Sequence, residues 1–228
     1  MYRRQLETLA PARTPDFPGF GQTPLVSDTV DYHAFVREAL PDEPAVLIGT
    51  SLGGRIALEL ALETPERVAA LVLVGAGLDG HRWSEEVEAS WQAEEEAFER
   101  GDLDAAVDVN LRLWLAGPRR TLDELDPDVR GLAAEMQRNA FELQTGHDLR
   151  MTPLEPPAST RLRDVAVPTL VVTGDEDVRD MHEIADKLAA QIPGAERATI
   201  ADTAHLPSLE RPDDFDRVVL AFLRKHGV

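Results

Sequence analysis

The chain has 228 residues, 43% of them apolar, and a net charge of −19, so it is long enough for one domain with a sizeable core and an insertion. That acidity argues against nucleic acid, which needs a basic face, and against anionic membrane surfaces, and no run approaches the ~20 apolar residues that cross a bilayer. The absence of cysteine removes disulfides, thiolate catalysis and cysteine-ligated metals, and the first residues lack the apolar core of a signal peptide, so a cytoplasmic protein without metal or cofactor is expected.

Tyr2, Leu6 and Leu9 repeat at helical spacing across residues 1–10. Pro15 to Gly21 is a loop by its Pro and Gly content. Asp28 to Leu40 reads as a helix, Ala45–Ile48 as a buried strand, Leu52–Leu62 as a helix, and Val68–Val74 as a second apolar strand ending in Gly75-Ala76-Gly77. From Asp79 to Arg150 strand signals vanish and three helical stripes follow: Trp83, Val87, Trp91; then Leu103, Val107, Leu111, Trp114; then Val129, Leu132, Met136, Ala140, Leu143. This stretch holds 18 Asp and Glu against 8 Arg, so more than half of the excess charge lies in it. Strands return at Val167–Thr173 and, more weakly, at Arg197–Ala201, with helices predicted over Met181–Gln191 and Asp213–Arg224. Alternating strands and helices predict an α/β fold, a mostly parallel sheet covered on both faces. Residues 1–78 and 151–228 would form this core. Residues 79–150 would form a helical cap over the C-terminal strand ends, where ligands bind in such sheets.

Within Gly49-Thr50-Ser51-Leu52-Gly53 a serine stands between an apolar strand and a helix. That context marks a nucleophile elbow: the glycines let strand and helix close, and the hydroxyl is forced out at the sheet's end. A serine hydroxyl needs a base and the base needs an orienting acid, in chain order serine, acid, histidine. His205 lies in the loop between the last weak strand and the last helix, where the base is expected. His33, His81, His147, His182 and His226 do not lie in that loop. Asp175, Glu176 and Asp177 follow the 167–173 strand, and Asp177 is favoured by the Gly-x-x-Asp spacing; Asp79 is a minor alternative. The backbone amide of Leu52 is the expected oxyanion donor.

Four segments carry a resemblance to the α/β-hydrolase family, in particular its small capped esterase and lactonase-like members: Pro-Asp-Phe-Pro-Gly-Phe-Gly at 15–21, Gly-Thr-Ser-Leu-Gly-Gly at 49–54, Pro-Thr-Leu-Val-Val-Thr-Gly-Asp-Glu-Asp at 168–177 and His-Leu-Pro-Ser-Leu-Glu-Arg-Pro at 205–212. Serine at 51 argues against the dehalogenases and epoxide hydrolases, which carry aspartate there. The resemblance also implies two or three opening strands and a His-Gly loop that supplies a second oxyanion N–H. No His-Gly dipeptide occurs in the first 40 residues, so an N-terminally shortened sheet is expected, with an open edge that a second copy would pair to form a homodimer.

The function expected is hydrolysis of a small, neutral carboxylic ester or lactone by Ser51, Asp177 and His205, with Trp83, Trp91 and Trp114 of the cap lining the substrate site. Carbon–carbon bond hydrolysis by the same three residues is the alternative enzyme reading. A ligand-binding or scaffold protein of the same fold is the alternative outside catalysis.

Overall fold

The structure, a computed structural model, describes Tyr2 and residues 4–228. In chain order its principal elements are α1 (Gln5–Thr8), β1 (Thr29–Val30), α2 (Tyr32–Ala39), β2 (Ala45–Thr50), α3 (Leu52–Glu63), β3 (Val68–Val74), α4 (Glu85–Glu99), α5 (Leu103–Leu111), α6 (Pro127–Gln144), β4 (Arg150–Met151), β5 (Thr169–Gly174), α7 (Arg179–Gln191), β6 (Glu196–Ile200), α8 (Pro207–Glu210) and α9 (Pro212–His226). The helical reading of residues 1–10 falls partly on Met1 and Arg3, outside the described residues.

The main sheet has the order β2-β3-β5-β6, and every pairing is parallel. β3 shows how the sequence builds it. Leu71 and Leu73 face one side, where α3 and α7 supply Leu58, Ala61, Met181, Ile184 and Leu188. Ala70, Val72 and Val74 face the other, where α9 supplies Phe215, Val219 and Phe222. A parallel strand buried on both faces reads as an unbroken apolar run, which is why Val68–Val74 shows no polar alternation.

β2 departs from the sequence expectation. Ala45–Ile48 are only half-buried, because β2 is the outer strand: among the described residues it pairs with β3 alone. An apolar run without alternation does not separate a central strand from an edge strand. The helix predicted from Asp28 also begins later. Thr29 and Val30 pair with Arg150 and Met151, and Asp31 caps α2 by accepting from the Ala34 amide at 2.8 Å.

Residues 79–150 form α4, α5 and α6 with intervening turns. They share a core of their own around Ala97, Val107, Leu111, Leu115 and Phe141, and Leu206 and Leu209 pack against it beside His205. Among the described residues no helix is long and apolar enough to cross a membrane.

Candidate active site

Ser51 joins β2 to α3 with φ 54° and ψ −115°, a backbone conformation that costs a non-glycine residue about 1–3 kcal/mol. Two close approaches explain the surrounding glycines. A Cβ on Gly49 would stand 2.3 Å from the carbonyl carbon of Gly53, and one on Gly54 would stand 2.6 Å from the Cβ of Ala76. The turn is fastened to β3: the Ser51 amide donates to the Val74 carbonyl at 3.0 Å, and the Ser51 carbonyl accepts from Arg55 at 3.0 Å and Gly77 at 3.2 Å. Leu52 opens α3, so its amide has no acceptor within the helix. Just before the serine, the Tyr2 hydroxyl meets the Thr50 hydroxyl at 2.5 Å, and burial pushes the Tyr2 phenol up to about 12.

Asp177 and His205 come from the loops that follow β5 and β6. Both are almost fully buried. Asp177 accepts from the Val178 amide through Oδ1 at 2.9 Å and from His205 Nδ1 through Oδ2 at 3.0 Å. A carboxylate acceptor at Nδ1 places the ring proton there and leaves Nε2 with a free lone pair. That Nε2 is buried and has no protein partner. Gly75 supports the pair from below: with φ +45°, a Cβ there would lie 2.8 Å from His205 Nδ1 and 3.4 Å from Asp177 Oδ2. Gly75 directly follows Val74, the acceptor of the Ser51 amide. The end of β3 is therefore the common floor of the Ser51 turn and the Asp177–His205 pair.

The other acids point elsewhere. Asp175 Oδ1 is buried and has no hydrogen-bond partner among the described residues, while His205 Nδ1 is taken by Asp177. Glu176 pairs with Arg119 at 2.8 Å, which holds its carboxyl below the usual range. Asp79 lies 3.3 Å from Arg55. Four other histidines are tied to carboxylates away from this centre: His33 to buried Glu59 at 2.6 Å, His81 to buried Asp180 at 3.0 Å, His147 to Asp28 at 2.8 Å and His226 to Glu196 at 2.7 Å.

The three tryptophans form one array that ends on the histidine. Ring centroids of Trp91 and Trp83 are 4.9 Å apart, those of Trp83 and Trp114 6.5 Å, and those of Trp114 and His205 4.6 Å. The expected stripe Leu103–Val107–Leu111–Trp114 is broken at its last member. After Leu111 the helix widens into a π turn over Arg112–Ala116, a distortion frequent at functional sites. Leu113 and Leu115 turn inward there, and Trp114 stays half-exposed.

Sequence reasoning missed the residues whose partners are distant in the chain. Gly75 was visible as part of a Gly-x-Gly turn, but not as the floor under the imidazole. Arg120 carried no local signal, and Glu210 stood in the 205–212 segment without a mark of its partner. Among the described residues no cluster of three or more His, Asp or Glu could hold a metal ion. A groove of about 550 Å³ lies between α5 and α6, but none of its lining residues belongs to the Ser51, Asp177 or His205 loops. Its arginines Arg112, Arg130 and Arg138 are already paired with Asp108, Asp123 and Asp104.

Residues 13–212 match the model of the alpha/beta hydrolase fold family, and the chain belongs to that family. It is a hydrolase. It is similar to the pimeloyl-[acyl-carrier protein] methyl ester esterase of Aromatoleum aromaticum, 32% identical over 215 residues, covering 89% of this chain and 83% of the relative. It is also similar to the 2-hydroxy-6-oxo-6-phenylhexa-2,4-dienoate hydrolase of Burkholderia cepacia, 28% identical with 92% and 75% coverage. The fold is shared with MenH from S. aureus, at a TM-score of 0.76 and 23% identity, covering all of this chain and 89% of that one.

Proposed function

We propose that the chain hydrolyses a small, neutral carboxylic ester or lactone through an acyl-Ser51 intermediate. One observation carries the reading. A buried imidazole is held by a carboxylate at Nδ1 and has a vacant Nε2, at the strand end that anchors a strained serine turn. Apo hydrogen bonds between nucleophile and base are commonly loose and tighten on substrate, so the pairing of Ser51 with Nε2 belongs to the loaded enzyme.

In this reading His205 Nε2 takes the Ser51 proton as Oγ attacks the carbonyl carbon, and Asp177 stabilises the imidazolium without taking a proton. The developing oxyanion accepts from the Leu52 amide at the N-terminus of α3. As the carbon–oxygen bond breaks, the imidazolium protonates the leaving alcohol; a water activated by the same Nε2 then releases the acid. Residues 79–150 act as the cap, with Trp114 as the wall nearest the reacting carbonyl and Trp83 and Trp91 behind it. The acidity of that segment favours neutral substrates over ring-opened diketo acids. This weighs against carbon–carbon bond hydrolysis. A cytoplasmic setting fits the absence of cysteine.

Labelling with a fluorophosphonate, read by intact mass and peptide mapping, tests this. One adduct on Ser51, lost in Ser51→Ala with an unchanged circular dichroism spectrum, is expected. An adduct at Ser27 or Ser208, or none on the wild type, overturns it.

A further inference from the structure

Arg120, between the Trp114 turn and α6, is the most fully engaged cation near the site. Nε donates to the Ala116 carbonyl at 3.0 Å and Nη2 to the Leu115 carbonyl at 2.7 Å. Nη1 donates to the Asp202 carbonyl at 2.9 Å, and Nη2 also meets Glu210 Oε2 at 2.8 Å. Leu115 and Ala116 follow Trp114; Asp202 and Glu210 flank His205. The second oxygen of Glu210 accepts from the amide of Ala204, the residue before His205, at 2.9 Å. The circuit closes where the His205 amide donates to the Trp114 carbonyl at 3.0 Å.

We propose that Arg120, backed by Glu210, is a positioning residue for His205: it clasps the histidine loop to the Trp114 turn, so that the cap segment sets the placement of the imidazole. The proposal rests on His205 being the base of the reaction assigned above.

Three features support the assignment. First, the clasp is sheltered, with side chains 17% exposed at Arg120 and 6% at Glu210, so water screens it less than the surface pairs on the same segment. Arg112–Asp108, by contrast, is 63% and 48% exposed. Second, the loop it holds is strained. Asp202 has φ 57°, and Arg120 takes its carbonyl. Third, the acceptors lie in different directions around a planar fork. A guanidinium with five fixed donors reaches them together, whereas an ammonium is a point charge on a flexible stem. Placing a general base within a fraction of an ångström matters because a misplacement of about 1 Å by a distant change costs on the order of 10²-fold in rate.

The test uses the full chain with Arg120→Ala, Arg120→Lys and Glu210→Gln, and Arg112→Ala as a surface control. Two readouts are taken on each folded variant. One is kcat and KM on a short p-nitrophenyl ester. The other is the low-field proton resonance of His205 Nδ1–H, assigned by its loss in Asp177→Asn, which reports the loop without requiring turnover. For Arg120→Ala we expect kcat to fall about 10²-fold, KM to change little, and the resonance to shift or broaden. Free guanidinium should restore part of both, and Arg120→Lys should not. Arg112→Ala should match wild type. An unchanged resonance and kcat in folded Arg120→Ala overturns the proposal, as does a loss that tracks the unfolded fraction and ignores guanidinium. If Arg120→Ala does not fold, Glu210→Gln decides, with a shifted resonance for the clasp and a wild-type one against it. A wild type that shows the resonance but no ester turnover removes the hydrolysis reading and leaves the clasp to be judged on the resonance.

Discussion

Trp114 and His205 meet twice: the His205 amide donates to the Trp114 carbonyl at 3.0 Å, and their ring centroids are 4.6 Å apart. The indole therefore both covers the imidazole and belongs to the segment that holds its backbone. Trp83 contacts Trp114 edge-on, and Trp91 lies one ring further out, 37% exposed.

The tryptophans should differ in effect according to that sequence of contacts. Trp114→Ala removes the wall against the imidazole and should lower kcat and change chain-length preference among neutral esters. Trp91→Ala removes a half-exposed ring remote from His205 and should leave both near wild type. Kinetics over esters of increasing acyl length, with thermal unfolding of each variant, check this. Equal effects at Trp91 and Trp114 would show that the array serves as core rather than as a substrate wall.

Of the four carboxylates that the sequence offers as the orienting acid, Asp177 and Asp79 follow different strands and sit in different environments. Asp177 accepts from His205 Nδ1 at 3.0 Å, and Asp79 lies 3.3 Å from Arg55. Asp177→Asn should lower kcat by about 10⁴-fold, because the amide holds the wrong tautomer. Asp79→Asn should stay within a few-fold. Steady-state kinetics on both variants decide the matter, and the reverse ranking would move the acid to the loop after β3.

The serine turn was legible because its information is local: an apolar strand, a Gly-x-Ser-x-Gly and a helix within twenty residues. Asp177 and His205 were legible by order and spacing after strands. What stayed hidden depends on contacts between distant segments. The β2 apolar run carries no mark of lying at an edge, and the two-residue β1 pairs with a segment 121 positions later, as Thr29 with Arg150 shows. Trp114 fits a helical stripe in sequence and leaves it only because the helix widens. The clasp of Arg120 spans 82 residues to Asp202 and 90 to Glu210, beyond any periodicity argument.

Gly75 is the smallest residue with a large expected effect. Its φ is +45°, and a Cβ would stand 2.8 Å from His205 Nδ1 and 2.9 Å from Cε1. Gly75→Ala should therefore push the imidazole off the Asp177 carboxylate, because the floor beneath it is backbone of a central strand and cannot yield. We expect kcat to fall about 10²-fold for a displacement near 1 Å, with loss of the low-field His205 resonance and a far-ultraviolet circular dichroism spectrum like that of wild type. Retained activity in a folded Gly75→Ala would mean that the ring tolerates the shift.

Asp180 links residues 81–84 to the start of α7 and makes stability depend on acid pH. The carboxylate is buried, accepting from the Ser84 hydroxyl at 2.6 Å, the Ser84 amide at 2.8 Å and His81 at 3.0 Å. Burial alone pushes its carboxyl up, but Ser84 and His81 pull harder and hold it below the ordinary aspartate value. The folded state then binds this proton less readily than the unfolded chain, whose aspartate titrates near about 3.9. The stabilisation is fully present above that value and is lost as pH falls through the lower, folded value. Asp180→Asn should thus be less stable than wild type at pH 7 by about 1–3 kcal/mol, the cost of weakening hydrogen bonds to a buried charged group. The gap between the two proteins should close as pH drops below about 4. Urea unfolding of both from pH 7 down to the acid limit of folding measures it, and a gap that stays constant with pH would show that Asp180 acts by shape and not by charge.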